Sequence, residues 1–476
     1  MAEFLQSLLA LIVTISILVT VHEFGHFYVA RLCGVHVERF SVGFGRAIFR
    51  FYGREPEPLE LGSYSDQDVT PQTRSNETLP STEYCLAMIP LGGYVKMLDE
   101  RDTFVPDDLK PFAFNRKPLF QRAMIVAAGP VANFVLAFFL YWMLFASGVT
   151  GLVPTLGQLP EDQAAYQAGL RAQDEIVSVD GRDTPTWADV NLALFDRLGD
   201  SGQIEFGIRR PDGAGLSTVG VPIRLFLAGA DEPKPAQFLG LSLLRPEIPP
   251  VLGEIMPESP AARAGLLAGD RIIKGDGQAL PTWGSFVRFI QDRAEASVLL
   301  EVRRGEAEIY LTVEPEAQRV DGKRLGRIGV GLGQVEWPKE MQREIVQPLY
   351  WAWYPALAKT ADMIQFTFES IWKMLQGLVS TKNLSGPVTI AKIANQTAES
   401  GLESYLTFIA LVSISLGVLN LLPIPMLDGG HLLYFLVEGL TGRAVSEKVQ
   451  GWGIQIGLVF LVGIMMLAFY NDLLRL

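Results

Sequence analysis

The amino-acid sequence predicts a polytopic α-helical membrane protein with four transmembrane helices and two exported α+β domains. Three observations support this fold class. Hydrophobic residues make up 49% of the 476 residues and the mean hydropathy is +0.23, although 19% of the residues are charged. Apolar residues must therefore be concentrated in blocks, and four blocks are long enough to cross a bilayer. The more charged middle of the chain contains an internal repeat.

Charge and composition exclude several classes of protein. The net charge is -12 and the sequence pI is about 5.0, which disfavours nucleic acid as a partner. Two cysteines, Cys33 and Cys85, exclude a disulfide framework and a cysteine-rich zinc site. Any metal site must use carboxylates and the four histidines, which are His22, His26, His36 and His431.

The first predicted span occupies residues 1–34. It begins with an uncharged run from Phe4 to Val21 and continues through HEFGHFYVARLCG, so it can cross a hydrocarbon core of about 30 Å. A cleaved signal peptide is disfavoured, because the segment before the run contains Glu3 and no Lys or Arg, and no A-x-A site follows.

Three further spans are predicted at residues 123–147, 401–440 and 449–472, the third crossing between about Tyr405 and Met426. Basic residues crowd segment 35–122 and recur at Arg443 and Lys448, so both of these loops are expected in the cytoplasm. No basic residue follows the second span until Arg171. Segment 151–400 and both termini are therefore expected outside, in the periplasm of a bacterial inner membrane.

The exported segment repeats itself. AAYQAGLRAQDEIVSVDGRDTPTW ends at Trp187 and AARAGLLAGDRIIKGDGQALPTW ends at Trp283, which predicts two domains at residues 151–247 and 248–335. SPAARAGLLAGDRI at Ser259–Ile272 resembles the PDZ domains of bacterial envelope proteases, which bind chain termini by strand addition. The first copy departs from this pattern, with Gln173 in place of a glycine. A steric filter or spacer is the alternative role.

Residues 336–400 contain an amphipathic helix. Its apolar positions recur at helical spacing, at Ile364, Phe368, Ile371, Trp372, Leu375 and Leu378. It follows an aromatic cluster, LYWAWY, which suits a membrane interface. Two placements are open: on the outer leaflet, or against the repeated domains.

His22, Glu23 and His26 form an HExxH motif. On a helix the two histidines share one face, and the glutamate can orient or deprotonate a water at a metal. A catalytic zinc needs a third protein ligand. Asp428, in NLLPIPMLDGGH, is favoured because the first and third spans both run inward and bring the two motifs to similar depth. His431 remains the alternative, as a ligand or as a donor to one.

HEFGH, GPVANFVLA at Gly129 and NLLPIPMLDGG together resemble the site-2 protease family of intramembrane zinc metalloproteases. This resemblance implies one Zn²⁺ bound by His22, His26 and Asp428. It further implies that Glu23 is the general base and that Asn420 contacts the substrate or the oxyanion.

The same resemblance implies a membrane re-entrant β-element within residues 35–122. RFSVGFGRAIFRFYG and EYCLAMIPLGGYVKML are predicted to pair as strands. An edge of this element is expected to bind substrate in an extended form, along Gly92, Gly93, Tyr94 and Val95. The acidic stretch from Glu55 to Thr82 between the strands is predicted to be a mobile loop.

The predicted function is that of an intramembrane zinc endopeptidase in the bilayer, with its active site near the cytoplasmic side. The resemblance implies regulated proteolysis in the envelope stress response. Its substrates would be single-span proteins already trimmed by another protease, namely an anti-sigma factor stub and signal-peptide remnants. A non-catalytic membrane scaffold with PDZ domains is the alternative, and the intact Glu23 argues against it. A membrane zinc protease acting on soluble or lipidated substrates is a second alternative, disfavoured by LDGG in a span.

Overall fold

The computed structural model describes residues 2–53, 81–211, 215–230, 233–246, 248–320, 323–333 and 338–475. Four of its helices, α1, α2, α10 and α12 below, are long and apolar enough to cross a membrane, in agreement with the four predicted spans. The helices are α1 (Ala2–Leu32), α2 (Leu119–Ser147), α3 (Ala164–Ala168), α4 (Trp187–Asp196), α5 (Pro235–Leu239), α6 (Pro260–Arg263), α7 (Trp283–Gln291), α8 (Trp353–Leu375), α9 (Pro387–Glu399), α10 (Leu402–Leu421), α11 (Asp428–Thr441) and α12 (Glu447–Arg475).

The strands form small antiparallel sheets. They are β1 (Val37–Tyr52), β2 (Glu83–Met97), β3 (Val149–Leu152), β4 (Glu175–Val179), β5 (Arg182–Asp183), β6 (Gly202–Arg209), β7 (Leu216–Ile223), β8 (Leu252–Ile255), β9 (Arg271–Gly275), β10 (Gln278–Ala279), β11 (Val298–Arg304), β12 (Ala307–Val313), β13 (Glu316–Val320), β14 (Lys323–Arg327), β15 (Val330–Leu332) and β16 (Gln342–Ile345). The predicted mobile loop between Glu55 and Thr82 lies, except for its last two residues, outside the described residues.

Two spans differ from the hydropathy pattern at one end. Helix α2 begins at Leu119 instead of residue 123. Its first turn includes Arg122, whose Nη2 lies 2.6 Å from Oε1 of Glu438 in α11, so a charge that lowers hydropathy is neutralised within the fold. Helix α10 ends at Leu421 instead of continuing to Met426. Leu422 is already extended, as a residue before proline prefers to be.

Helix α2 packs between α1 and α10. Glycines allow these helices to approach closely. A Cβ on Gly25 of α1 would lie 2.3 Å from the Ala128 carbonyl oxygen of α2, and one on Gly417 of α10 would lie 2.6 Å from the Phe134 ring. Small residues at such contacts are typical of helices that associate within a membrane.

Strands β1 and β2 fold back on themselves. Residues 37–42 pair with residues 93–97 on one side and with residues 83–86 on the other. Residues 93–97 therefore lie at an edge of this sheet, and α1 packs against β2. The part of the sheet away from α1 exposes large apolar side chains, with Ile48 69% and Met88 62% exposed.

The repeated segments adopt the same element order. Their sheets have the strand orders β5-β4-β6-β7 and β10-β9-β11-β12. Burial alternates along β6 and β11, because Ile204, Phe206 and Ile208 of β6 are fully buried, as are the inward residues of β11. Helices α4 and α7 begin at equivalent threonines, Thr186 and Thr282, whose side chains accept a backbone N–H three residues later.

Helix α8 contacts α2, α10 and the first repeat, so of the two predicted placements the one against the repeated domains agrees with its contacts. The place on the outer leaflet stays a prediction. Ala356 and Met363 pack into a core formed with α2 and α10. Its polar side faces the first repeat, where Lys359 Nζ lies 2.9 Å from Oδ1 of Asp189. Trp372 and Leu375, predicted on the apolar face, are 61% and 71% exposed.

Helix α9 is tied to α12 through one carboxylate. Asp472 accepts hydrogen bonds from the backbone N–H groups of Gly386 (2.9 Å), Val388 (2.8 Å) and Thr389 (3.2 Å), and from the Thr389 hydroxyl (2.6 Å). These groups form the N-terminal turn of α9, which lacks partners within the helix. Asp472 thus caps α9, and α9 in turn packs against α1.

Candidate metal centre and active site

The HExxH motif lies in the last three turns of α1, which has no proline or capping residue to interrupt it. His22 and His26 are both buried, and their ring centroids are 4.9 Å apart. Both face α2, where Gly129 leaves room for them. A Cβ on Gly129 would lie 2.3 Å from His26 Nε2. The glycine of GPVAN is therefore required by the position of the imidazoles.

Asp428 reaches the histidines because the chain between α10 and α11 is irregular. Pro423 and Pro425 prevent α10 from continuing, and α11 begins at Asp428 itself. Gly429 then packs so closely that a Cβ would lie 2.2 Å from the Leu422 carbonyl oxygen. Met426 has a φ of 89°, a strained value for a residue with a side chain. The LDGG motif thus forms a tight turn that directs the Asp428 carboxylate towards α1.

Three acceptor atoms converge at this point. His22 Nε2 lies 3.2 Å from Asp428 Oδ2, His26 Nε2 lies 3.5 Å from the same oxygen, and the two Nε2 atoms are 3.3 Å apart. A tetrahedral zinc with ligands at about 2 Å requires ligand atoms roughly 3.3 Å from each other. Oδ2 has no hydrogen-bond partner among the described residues. A proton shared between two of these atoms would account for one of the three short distances, whereas a cation between all three atoms accounts for each of them. The residues therefore fit a zinc ion.

The imidazole of His26 is oriented from its other nitrogen. Its Nδ1 lies 2.8 Å from the Ile125 carbonyl oxygen of α2. A carbonyl can only accept, so Nδ1 carries the proton and Nε2 presents a lone pair. This arrangement is the usual support for a histidine that binds a metal.

Glu23 lies between the metal centre and the sheet edge. The backbone N–H of Val95 lies beside its carboxylate. Gly93 permits this approach, because a Cβ there would lie 3.2 Å from Cγ of Glu23. The predicted substrate-binding strand is thus in contact with the predicted general base. Tyr94 points elsewhere, accepting a hydrogen bond from Arg39 Nη1 at 3.0 Å and stacking on Phe44.

The remaining predicted residues take different positions. Gly92 packs on the Phe44 ring, which a Cβ there would overlap at 2.1 Å. Asn420 is partly buried in the last turn of α10. His431 lies in α11, where its ring stands edge-on to Tyr434, and it is not among the three clustered ligands.

Sequence reasoning missed one residue of the site. Asn133 of α2 is fully buried, and its side-chain amide lies 3.2 Å from His22 Nδ1. The signal was present in the sequence, because an amide in the middle of a spanning segment is costly unless it has a partner. The GPVAN motif, which supports the family resemblance, therefore also contains a residue of the site.

The sequence matches peptidase family M50 over residues 10–65 and 71–464. The "Regulator of sigma-E protease RseP" of Escherichia coli K12 is 42% identical over 481 residues, covering 100% of both chains. The "Protease RseP" of Yersinia pestis is 41% identical and the "Putative zinc metalloprotease" of Vibrio cholerae is 37% identical, each over 100% of both chains. A solved PDZ domain of an SdrC-like protein from Listeria monocytogenes covers 19% of this chain and 93% of its own at 23% identity, with a TM-score of 0.16. The full-length matches confirm the predicted resemblance to site-2 proteases, including the regulators of sigma-E.

Proposed function

This chain belongs to peptidase family M50 and is a zinc metalloprotease, and we propose that it cleaves peptide bonds within the spanning segments of single-span membrane proteins. The observation that carries the proposal is the convergence of His22, His26 and Asp428 between helices apolar enough to cross a membrane. Irregular backbone such as residues 422–427 is tolerated at membrane depth only where protein or water surrounds it. A hydrolytic site also needs to be surrounded by protein and water, because hydrolysis consumes a water molecule.

In the proposed mechanism His22, His26 and Asp428 bind zinc. Zinc, when bound, polarises the scissile carbonyl and lowers the pKa of the attacking water. Glu23 accepts a proton from that water and passes it to the leaving amine. The Val95 N–H orients the Glu23 carboxylate before the transfer. Asn420, in the last turn of α10 before the chain reaches Asp428, would donate its amide to the developing oxyanion.

The proposed topology follows the distribution of basic residues. Segment 35–122 and the loop with Arg443 and Lys448 lie in the cytoplasm, and both termini lie in the periplasm of a bacterial inner membrane. The PDZ-like repeats, 151–247 and 248–335, and segment 336–400 are exported. The exposed apolar side chains of the β1–β2 sheet, Ile48 and Met88 among them, support its insertion into the membrane as a re-entrant element.

The substrates we propose are trimmed single-span proteins, namely an anti-sigma factor stub and signal-peptide remnants. The Escherichia coli relative is named as a regulator of sigma-E protease, and the Yersinia pestis relative as protease RseP. The first of these names supports a role in the envelope stress response. A spanning substrate arrives as a helix with its amides satisfied internally. Residues 93–97, which pair on one side only within the described part of the chain, offer a strand edge to which the unwound segment could add.

A proline at Val95 should lower turnover sharply with zinc retained. Proline has no N–H, so the variant loses the donor that lies beside Glu23 on this edge. We expect kcat to fall by at least about 10-fold, roughly the 1.4 kcal/mol equivalent of one charge-assisted hydrogen bond.

Val95→Ala is the matched control, because it shortens the side chain and keeps the N–H. Both variants would be assayed with a trimmed substrate in lipid nanodiscs, with bound zinc measured on the same samples. Wild-type kcat in Val95→Pro would show that substrate and Glu23 are positioned by another segment.

We propose that the two repeats exclude substrates with bulky exported domains. They are inserted between β3 and β16, which pair with each other directly after α2 ends, and Val153 N–H donates to the Met341 carbonyl at 3.0 Å. The repeats therefore stand immediately outside the spans. Any exported domain of a substrate must pass them before its spanning segment reaches α1.

The test compares one substrate in two lengths, trimmed and untrimmed, in lipid nanodiscs. Wild-type protein should cut only the trimmed form, within its span, and a zinc chelator should stop the reaction. Replacing residues 154–338 by a short Gly-Ser linker keeps β3, β16 and α8, because Val153 and Met341 are adjacent. We expect this variant to cut both forms, and the untrimmed form at least about 10-fold faster than wild type does.

Cleavage of the trimmed substrate shows that the shortened chain is folded. If that chain cuts the trimmed form but leaves the untrimmed form resistant, the repeats do not exclude it. If wild-type protein cuts neither form within the span, the proposed activity itself is wrong.

A further inference from the structure

The buried amide of Asn133 lies beside the metal centre, and the mechanism above does not use it. Asn133 is 0% exposed and belongs to α2. Its amide lies 3.2 Å from His22 Nδ1. Its backbone is fixed from the other side, because the Ser413 hydroxyl of α10 donates to the Asn133 carbonyl oxygen at 2.8 Å. The amide is therefore held at a defined distance from the ring.

His22 needs an acceptor at Nδ1. Its Nε2 faces Asp428 Oδ2 and His26 Nε2, and a nitrogen that binds a metal must present a lone pair. In neutral imidazole the proton then lies on Nδ1. Nδ2 of Asn133 is the amide atom placed next to Nδ1, and Oδ1 is buried with no hydrogen-bond partner in the described segments. The two ends of an amide have nearly the same shape, and half a turn about the last side-chain bond exchanges them.

We propose that Asn133 Oδ1 accepts the Nδ1–H of His22 and so fixes the tautomer and ring plane in which Nε2 binds zinc. Asn133 is then a positioning residue, as the Ile125 carbonyl is for His26 at 2.8 Å. Both partners lie on α2, so one helix orients both ligands of α1. The proposal rests on the metal-binding role of His22 proposed above.

Substitution can remove the Asn133 amide but not the Ile125 carbonyl. Asn133→Leu keeps the size and removes both polar atoms, and we expect zinc affinity to fall about 10- to 100-fold, as for other lost partners of ligating histidines. Asn133→Asp retains an acceptor and should hold zinc within a few-fold of wild type. Affinity would be measured by chelator competition on purified protein, independently of proteolysis.

Thr14→Val is the matched control. It removes another interhelical hydrogen bond of α1, the one between the Thr14 and Tyr405 hydroxyls at 3.0 Å, and should leave zinc affinity unchanged. A second readout is the Nδ1 proton of zinc-loaded, histidine-labelled protein, which has only four histidines. The His22 resonance should move upfield in Asn133→Leu as its hydrogen bond is lost, while that of His26 stays.

Zinc affinity of Asn133→Leu within twofold of wild type, or an unshifted His22 proton, would overturn the proposal. So would equal losses in the Leu and Asp variants, which would indicate a packing role. His22→Ala separates this failure from that of the proposed function. If His22→Ala retains zinc, the ligand set is wrong; if it loses zinc and Asn133→Leu does not, only the role of Asn133 is wrong.

Discussion

Replacing Glu23 with glutamine should abolish cleavage while zinc stays bound. The amide keeps the size of the carboxylate and can still accept the Val95 N–H, but it cannot take a proton from the attacking water. We expect turnover to fall by about 10³-fold or more. The measurement is the rate of cleavage of a trimmed single-span substrate in lipid nanodiscs, with zinc determined on the same sample.

Glu38→Gln is the matched control, because it neutralises a carboxylate of the β1–β2 sheet that is paired with Lys96 at 2.6 Å and is not one of the clustered ligands. It should cut at nearly the wild-type rate. Glu23→Gln turnover above one-tenth of wild type would remove Glu23 from the general-base role. Wild-type protein that binds substrate and never cleaves it would instead favour the scaffold alternative.

Loss of any one ligand should remove zinc and activity together. His22→Ala, His26→Ala and Asp428→Ala each leave two of the three atoms that lie within 4.8 Å of one another. Zinc affinity should fall by more than the roughly 10- to 100-fold decrease that follows removal of a hydrogen-bond partner of a ligand. Zinc per protein after purification, and affinity by chelator competition, measure it.

His431→Ala decides between the two candidates for the third ligand. His431 follows Asp428 in α11 but faces Tyr434, with 6.2 Å between ring centroids. Its replacement should leave zinc bound. Retention of stoichiometric zinc by Asp428→Ala together with its loss in His431→Ala would reverse the assignment.

Local patterns were sufficient for the elements that depend on sequence spacing. His22 and His26 share a face because four residues make about one helical turn, and the alternation in β6 and β11 has the period of a strand. Pro423 and Pro425 likewise indicate the break that delivers Asp428. The predicted pairing of RFSVGFGRAIFRFYG with EYCLAMIPLGGYVKML agrees with β1 and β2.

Features that depend on distant partners were not predictable in this way. The hydropathy pattern placed the start of the second span at residue 123 because Arg122 is charged, and its partner Glu438 is remote in sequence. The apolar stripe of α8 did not show which side packs, since Ala356 and Met363 are buried by α2 and α10. The contacts of Val95 with Glu23 and of Asn133 with His22 also join separate segments.

The cap on α9 has a consequence for biosynthesis. The chain leaves the ribosome in order, and α9 precedes the third span, whereas Asp472 belongs to the fourth. The first turn of α9 therefore remains uncapped until the fourth span has been inserted. We expect chains arrested before α12 to leave α9 open to added protease, and chains arrested after Asp472 to protect it. The enzyme would then complete its packing around the HExxH helix only in the last step of membrane insertion.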